Sequence, residues 1–245
     1  PATVGATGNA TLAVNTPATS IGGGPVPALN PATGVVAVPA GTPAGTYTIS
    51  YKLCEKLNPS NCKDATITVT VDPAPLVATP DSYTGINGVP GNPNVGNALS
   101  NDTVNGSPAT VGATGNATLA VNTPATPISG GPVPVLDIAT GQVSVPPLTP
   151  AGVYTIGYKL CEKLNPTNCK DTTITVTVGA PLIAATNDTF TGINGALGNS
   201  NVGSAFGGDT VTGAPASTAN ATQTVNTPAS PVPGAPVGAP VPVLN

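Results

Sequence analysis

Apolar and polar side chains alternate along two neighbouring segments of the chain. Every second residue is apolar in residues 46–53, and the same period of two returns in residues 64–71. This period is typical of β-strands that pack one face on a core and expose the other face to solvent. The two segments therefore predict a β-hairpin, with the stretch KLCEKLNPSNCKD (residues 52–64) around its tip.

The cysteines of this hairpin suggest how its strands are aligned. If Cys54 faces Cys62, then Lys52 faces Asp64, and apolar residues face each other further along the strands. Such cross-strand pairs support the register. We therefore predict a disulfide on the outer face that closes a loop of about nine residues and contributes roughly 2–3 kcal/mol. A second copy of the stretch predicts the same disulfide and the same charge pair with Cys161, Cys169, Lys159 and Asp171.

The hairpin belongs to a unit that repeats along the chain. Residues 1–19 recur unchanged at residues 108–126, an offset of 107, and a looser copy begins at Pro215. A period of this length is too long for one coil of a solenoid and fits one immunoglobulin-sized sandwich. The chain begins and ends inside a repeat, so we expect it to be a window from a longer protein.

Proline-rich segments mark the expected boundaries of the units. A strong strand pattern ends before residues 72–75 (Asp-Pro-Ala-Pro), and residues 179–182 form the matching junction. We therefore predict the later two thirds of an immunoglobulin-like repeat in residues 1–71. A complete repeat follows in residues 72–178, and the first part of a third lies in residues 179–245.

Short apolar runs between turn residues predict about seven strands and no helix in the complete repeat. These strands cover residues 76–84, 94–99, 117–121, 133–136, 142–145, 153–161 and 170–178, with a turn-rich stretch at residues 101–106. The predicted fold class is all-β, a tandem series of immunoglobulin-like antiparallel β-sandwiches with a repeat of about 107 residues. Tyr47 and Tyr154 are either tyrosine-corner residues or plain core residues.

Composition supports a folded chain with an unusual surface. Charged residues are only 7% of the chain, against roughly 25% in ordinary globular proteins, yet 39% of residues are hydrophobic and the net charge is −4. Disorder usually combines low hydrophobicity with high net charge, and this chain has neither. No basic surface is available for nucleic acid, and no apolar run approaches the roughly 18 residues of a membrane span.

The four cysteines form two C-x7-C pairs, one in each hairpin tip. An even count predicts disulfides and an oxidising compartment outside the cytosol. A zinc or redox site is disfavoured, because the chain has no His and the spacing is not C-x-x-C. The tips also contain all six lysines and both glutamates. The plain interpretation of these charges is a solvated loop, and the alternative is a contact point with a neighbouring subunit.

The sequence gives little support to catalysis. Acid–base and nucleophilic mechanisms need a His, paired carboxylates or an activated nucleophile, but His is absent and the acids are dispersed. We predict no enzyme, no catalytic residue and no cofactor. Calcium binding near the repeat junctions stays open as an alternative, although turns also favour such aspartates. The candidates are Asp81, Asp102, Asp188 and Asp209.

Two motifs carry a resemblance to a known family. PAGTYTISYKLCEKLNPSNCKDATITVTV and GNALSNDTVNG resemble the tandem immunoglobulin-like repeats of very large secreted surface proteins from gliding Bacteroidota, and the resemblance covers the whole chain. It implies export by the type IX system and a role as an adhesin, a gliding filament or a prey-catching filament of Saprospira-like cells. The Asp-Thr-apolar and related patterns of O-glycosylation in that group mark Thr103, Thr210 and Thr172.

The leading hypothesis is a non-enzymatic stalk or filament segment of an extracellular adhesin. Repeats in series multiply reach, and each repeat contacts mainly its neighbours. The expected partners are neighbouring repeats, further chains in a homo-oligomeric filament or bundle, and an unknown target on prey or substratum. The alternative is a surface module that binds carbohydrate or ice, suggested by the threonine array at Thr66, Thr68 and Thr70.

Overall fold

The structure, a computed structural model, describes residues 1–244, and its regular elements are eighteen β-strands with no helix. The all-β prediction is therefore confirmed. The strands are β1 (Ala10–Thr16), β2 (Ala28–Leu29), β3 (Val36–Ala37), β4 (Gly45–Glu55), β5 (Cys62–Val71), β6 (Leu76–Val77), β7 (Asp81–Asn87), β8 (Asn92–Asn97), β9 (Thr103–Val104), β10 (Ser107–Pro108), β11 (Ala117–Thr123), β12 (Val135–Leu136), β13 (Gln142–Val145), β14 (Gly152–Glu162), β15 (Cys169–Gly179), β16 (Ile183–Ala184), β17 (Thr210–Val211) and β18 (Ala214–Pro215).

The complete repeat is a sandwich of two main sheets. One sheet has the order β11-β14-β15-β7, the other has the order β12-β13-β8, and a small third sheet joins β10, β9 and β6. Side chains from both main sheets form one core, in which Val143, Tyr158, Leu160, Ile174 and Val176 are 0% exposed. The alternation in β14 and β15 that predicts one buried face is therefore the feature that builds this core.

Two parts of the complete repeat differ from the prediction. The strand expected at residues 76–84 is divided into β6 and β7, which lie on either side of Pro80 in different sheets. Proline has no N–H to donate to a ladder, so the chain changes sheet there. β7 then pairs with β15 in parallel, so the sandwich is not purely antiparallel.

The turn-rich stretch also contains structure that the sequence pattern does not predict. Asn105 and Gly106 have φ values of 53° and 75°, and they connect β9 to β10 as a two-residue hairpin. Positive φ at both central residues is the signature of a type I′ turn, which Asn-Gly favours. With β6 and β7 separate and β9 and β10 added, the repeat has ten strands in place of about seven. Strands of two residues are too short to produce an alternation signal.

The outer parts of the chain hold incomplete copies of this sandwich. Residues 1–71 form the sheets β1-β4-β5 and β2-β3. Tyr51 and Ile67 are half-buried there, whereas their copies Tyr158 and Ile174 are fully buried, because residues 1–71 hold no counterparts of β7 and β8. Residues 179–244 contain only the sheet β16-β17-β18. The partners that β7 and β8 use, β15 and β13, have no counterparts there.

Candidate functional site at the joint between repeats

The last hairpin of each repeat has the predicted register. Cys54 faces Cys62, Lys52 faces Asp64 and Ile49 faces Ile67. Both disulfides are present, with S–S distances of 2.00 Å and 2.04 Å. The Lys–Asp pairs lie 3.9 Å apart in both hairpins and are largely exposed, so they add little to stability. The disulfide is the main local constraint on the tip.

The tip of the second hairpin is anchored to its own repeat. Glu162 N donates to Asn168 O at 2.9 Å, and Asn168 N donates to Asn165 O at 2.8 Å. The ammonium group of Lys163 donates to the carbonyl oxygens of Gly112 and Ala113 at 2.8 Å and 2.6 Å. These bonds hold the backbone of the tip in one conformation and leave three side chains free to bind elsewhere: Glu162, Asn165 and Asn168. Because they belong to the second hairpin, we call these three residues the second clasp.

The second clasp binds the linker that leads into its repeat. Ala74 N donates to Glu162 Oε2 at 3.0 Å, and Asn168 Nδ2 donates to Ala74 O at 2.8 Å. Both backbone polar groups of Ala74 are thus satisfied by side chains, much as a neighbouring strand would satisfy them. Asn168 and Asn165 also donate to Glu162, at 2.8 Å and 2.6 Å. The linker is therefore held in a single position against the tip.

The same clasp reaches the first repeat. Ala44 N donates to Asn165 Oδ1 at 2.6 Å, and Ala44 lies immediately before β4. Next to it, Pro43 and Ile21 of the first repeat line a groove together with Leu164 of the tip. Leu164 is 43% exposed, whereas its copy Leu57 in the first hairpin is 89% exposed. The tip thus joins three parts of the chain: its own repeat, the linker and the preceding repeat.

Burial contradicts the interpretation of the second tip as a solvated loop, whereas residues 56–61 of the first tip are exposed, as that interpretation expects. Glu162 is 4% exposed and Asn165 is 9% exposed. A buried carboxylate is costly unless donors surround it, and Glu162 has three of them. The alternative interpretation expected a contact with a neighbouring subunit. The second tip does form a contact, but it is with the preceding repeat of the same chain.

A tyrosine near the start of each hairpin, Tyr47 in β4 and Tyr154 in β14, has a defined role in this region. The hydroxyl of Tyr47 donates to Pro43 O at 2.8 Å, and that of Tyr154 donates to Pro150 O at 2.7 Å. A tyrosine near a strand start that bonds a backbone carbonyl a few residues upstream is a tyrosine corner. Tyr47 thereby fixes the segment that presents Ala44 to the second clasp.

Two of the candidate calcium ligands form a buried group inside the complete repeat. Tyr158 Oη lies 2.9 Å from Asp102 Oδ2 and 3.3 Å from Asp81 Oδ2. Burial, followed by the charge of Asp102, raises the pKa of Asp81 to about 6. Burial also raises the pKa of Asp102, whose other oxygen accepts a bond from Thr79 N at 2.8 Å. These carboxyl groups therefore act as core hydrogen-bonding groups with a raised affinity for protons.

The other two candidate ligands lie apart from any such group. Asp188 is exposed, and Asp209 accepts a hydrogen bond from Thr186 N at 2.7 Å. Within residues 1–244, no three acidic, cysteine or histidine residues lie together in a way that could hold a metal ion. The O-glycosylation candidates Thr103, Thr172 and Thr210 lie in β9, β15 and β17 and are partly exposed. Glycans at these threonines stay a prediction.

No helix among the described residues has the length and apolar character needed to cross a membrane. Comparison with protein-family models found no match, and comparison with curated proteins found none either.

Solved structures of cadherin domains are similar to this chain in architecture. They include protocadherin gamma B2 extracellular cadherin domains 3–6 (11% identity, TM-score 0.35, covering 72% of this chain and 44% of that one). The human desmocollin-1 ectodomain matches with 10% identity and a TM-score of 0.35, covering 73% and 35%. Mouse cadherin-23 domains 22–24 match with 14% identity and a TM-score of 0.31, covering 70% and 53%. The chain spans less than two thirds of the length of each, and a likeness at this level carries no argument about function.

Proposed function

We propose that this chain is a non-enzymatic structural segment of an extracellular adhesin or filament, in which tandem β-sandwich repeats give reach. The observation that carries the proposal is the second clasp, which binds the linker and the preceding repeat at once. A linker of this length without such contacts would leave two repeats free to rotate. With Ala74 and Ala44 both bound, the following repeat has a defined direction relative to the preceding one.

The disulfides support a location outside the cytosol. Disulfides persist in secreted and surface proteins and are rare where thiols are kept reduced, and all four cysteines of this chain are paired. The low share of charged residues and the proline-stiffened linker fit a persistent fibre better than a freely diffusing binding protein. We further propose membership in the tandem-repeat surface proteins of gliding Bacteroidota, on the two motifs described above.

Small-angle X-ray scattering of the whole chain tests the proposed stalk directly. We expect an elongated particle with the first and second repeats aligned as in the structure. The matched comparison is Glu162→Ala, which should broaden the distance distribution, against Glu55→Ala, which should not. Compact particles, or equal curves for the two variants, would contradict a stiff stalk. Protease treatment of intact source cells tests the location, because an intracellular segment would stay protected.

A further inference from the structure

The first hairpin carries the same three side chains on the same scaffold. Glu55 N donates to Asn61 O at 2.9 Å, and Asn61 N donates to Asn58 O at 2.8 Å. These distances equal those in the second tip. Lys56 donates to two loop carbonyl oxygens at 3.2 Å and 2.8 Å, as Lys163 does in its repeat. The residues Glu55, Asn58 and Asn61 therefore form a first clasp with the backbone geometry of the second.

The first clasp differs from the second in that it holds neither a linker nor a segment of a preceding repeat. Asn61 Nδ2 donates to Glu55 Oε2 at 2.9 Å, as Asn168 does to Glu162, but Asn58 and Asn61 are exposed. Hydrogen bonds from Asn61 and then Asn58 lower the pKa of the Glu55 carboxyl group. The carboxylate is therefore ionised at neutral pH and oriented by its own tip. Glu55 therefore presents the same kind of carboxylate oxygen with which Glu162 binds the N–H of Ala74 in the second repeat.

The ligand that such a clasp accepts can be read from the second repeat. It is an extended segment in which one residue offers both an N–H and a C=O group, as Ala74 does between Pro73 and Pro75. Flanking prolines fix φ and favour an extended backbone before binding, which reduces the entropy lost on docking. The recognised groups belong to the main chain, so the chemistry requires an N–H at the central residue.

We infer that Glu55, Asn58 and Asn61 form a docking site for a proline-flanked linker of the same kind as residues 72–75, with an N–H at its central residue. Neither of the two linkers of this chain, residues 72–75 and residues 179–182, binds the first clasp. Ala74 already occupies the second clasp. The residue at the same repeat position in the next linker is Pro181, which has no N–H to donate. In the second repeat the bound segment is the linker that leads into that same repeat, and the first clasp calls for a segment of the same chemistry.

This inference rests on the joint in the proposed function, and a peptide titration separates the two. The probe is the synthetic peptide TVDPAPLV, the sequence of residues 70–77, added to the isotope-labelled whole chain and followed by NMR. We expect saturable shifts of the backbone and side-chain amide signals of Glu55, Asn58 and Asn61, with a dissociation constant in the millimolar range. The corresponding signals of the second clasp should not move, because that clasp is occupied.

Two controls make the titration decisive. The peptide TVDPPPLV lacks the central N–H and should leave the first clasp unshifted. The variant Glu55→Ala should lose the response to TVDPAPLV while its other signals show an intact fold. The absence of saturable shifts at millimolar peptide would overturn the inference, as would equal shifts with both peptides or at both clasps. In each of these cases the joint between the first two repeats could still stand, because scattering measures it separately.

Discussion

Replacing Glu162 by Ala should weaken the joint, and replacing Glu55 by Ala provides the matched control. Glu162 accepts hydrogen bonds from Ala74 N, Asn168 Nδ2 and Asn165 Nδ2 at 3.0, 2.8 and 2.6 Å, and it is 4% exposed. Hydrogen bonds to a charged group contribute about 1.5–3 kcal/mol each. The side chain also pays a desolvation cost on burial, so the bonds do not add in full. We expect a net loss of about 3 kcal/mol for Glu162→Ala.

The control should lose much less, because the first clasp holds no linker. The hydrogen bond that Glu55 accepts within its tip is exposed to solvent, and substitutions at exposed positions usually change stability little. In a repeat of about 100 residues, 1 kcal/mol corresponds to roughly 4 °C or more in melting temperature. Scanning calorimetry should therefore show a fall of about 12 °C or more for the second repeat in Glu162→Ala and a much smaller shift for Glu55→Ala.

The Ala74 amide reports on the same joint locally. In the unsubstituted chain its N–H is bound to Glu162 Oε2, so we expect slow hydrogen exchange that becomes fast in Glu162→Ala. The substitution Ala74→Pro removes the same hydrogen bond by deleting its donor, the N–H of residue 74. Its backbone should accept proline, because Pro181 occupies the same position in the next linker. Equal melting shifts for Glu162→Ala and Glu55→Ala, or a rapidly exchanging Ala74 amide in the unsubstituted chain, would refute the reasoning.

Three further predictions concern the core and the disulfides. Burial raises the folded-state pKa of Asp81 to about 6 and also raises the folded-state pKa of Asp102. The stabilising effect of protonated Asp81 is complete below its unfolded pKa of about 4 and is lost as pH rises through about 6. Melting curves should therefore show a decline of about 2–3 kcal/mol over this window, and a profile that is unchanged in Asp81→Asn would contradict the assignment. Tyr158→Phe removes a hydroxyl that lies within hydrogen-bond distance of Asp102, Ala98 O and Asp81, and it should cost about 1–3 kcal/mol. Tyr51→Phe, half-buried in the first repeat, should cost far less in the same melts. Reduction of the disulfides should lower the stability of each hairpin by roughly 2–3 kcal/mol, and equal melting curves with and without reductant would exclude that contribution.

The hairpins could be predicted from the sequence because their signals are local. Alternation identifies β4 and β5, and the cysteine pair fixes which residues face each other. The division of the first predicted strand at Pro80 has a local cause, but an apolar run on both sides of the proline hides it. The strands β9 and β10 have two residues each, so only the Asn105-Gly106 pair indicates their turn.

The clasp could not be predicted in the same way, because its contacts are distant in sequence. Glu162 binds Ala74 across 88 residues, and Asn165 binds Ala44 across 121. Both partners contribute main-chain N–H groups, and nothing about an alanine marks its N–H as a ligand. The only sequence signal is that Glu, Asn and Asn are identical in the two tips, whereas Ser60 is replaced by Thr167 beside them.

Recognition of main-chain groups explains why a chain with so few charges places most of them at the hairpin tips. Lys163 binds carbonyl oxygens of its own loop, and Glu162 binds the N–H of the linker. A joint of this kind needs no complementary side chain from the linker, so linkers as different as Asp-Pro-Ala-Pro and Gly-Ala-Pro-Leu can follow the same hairpin. It does need an N–H at one position. A clasp that meets a linker such as the one with Pro181 would bury its carboxylate with one donor fewer, which favours a more open joint. The identity of a single linker residue would then set the stiffness of each joint, while the repeats themselves stay the same.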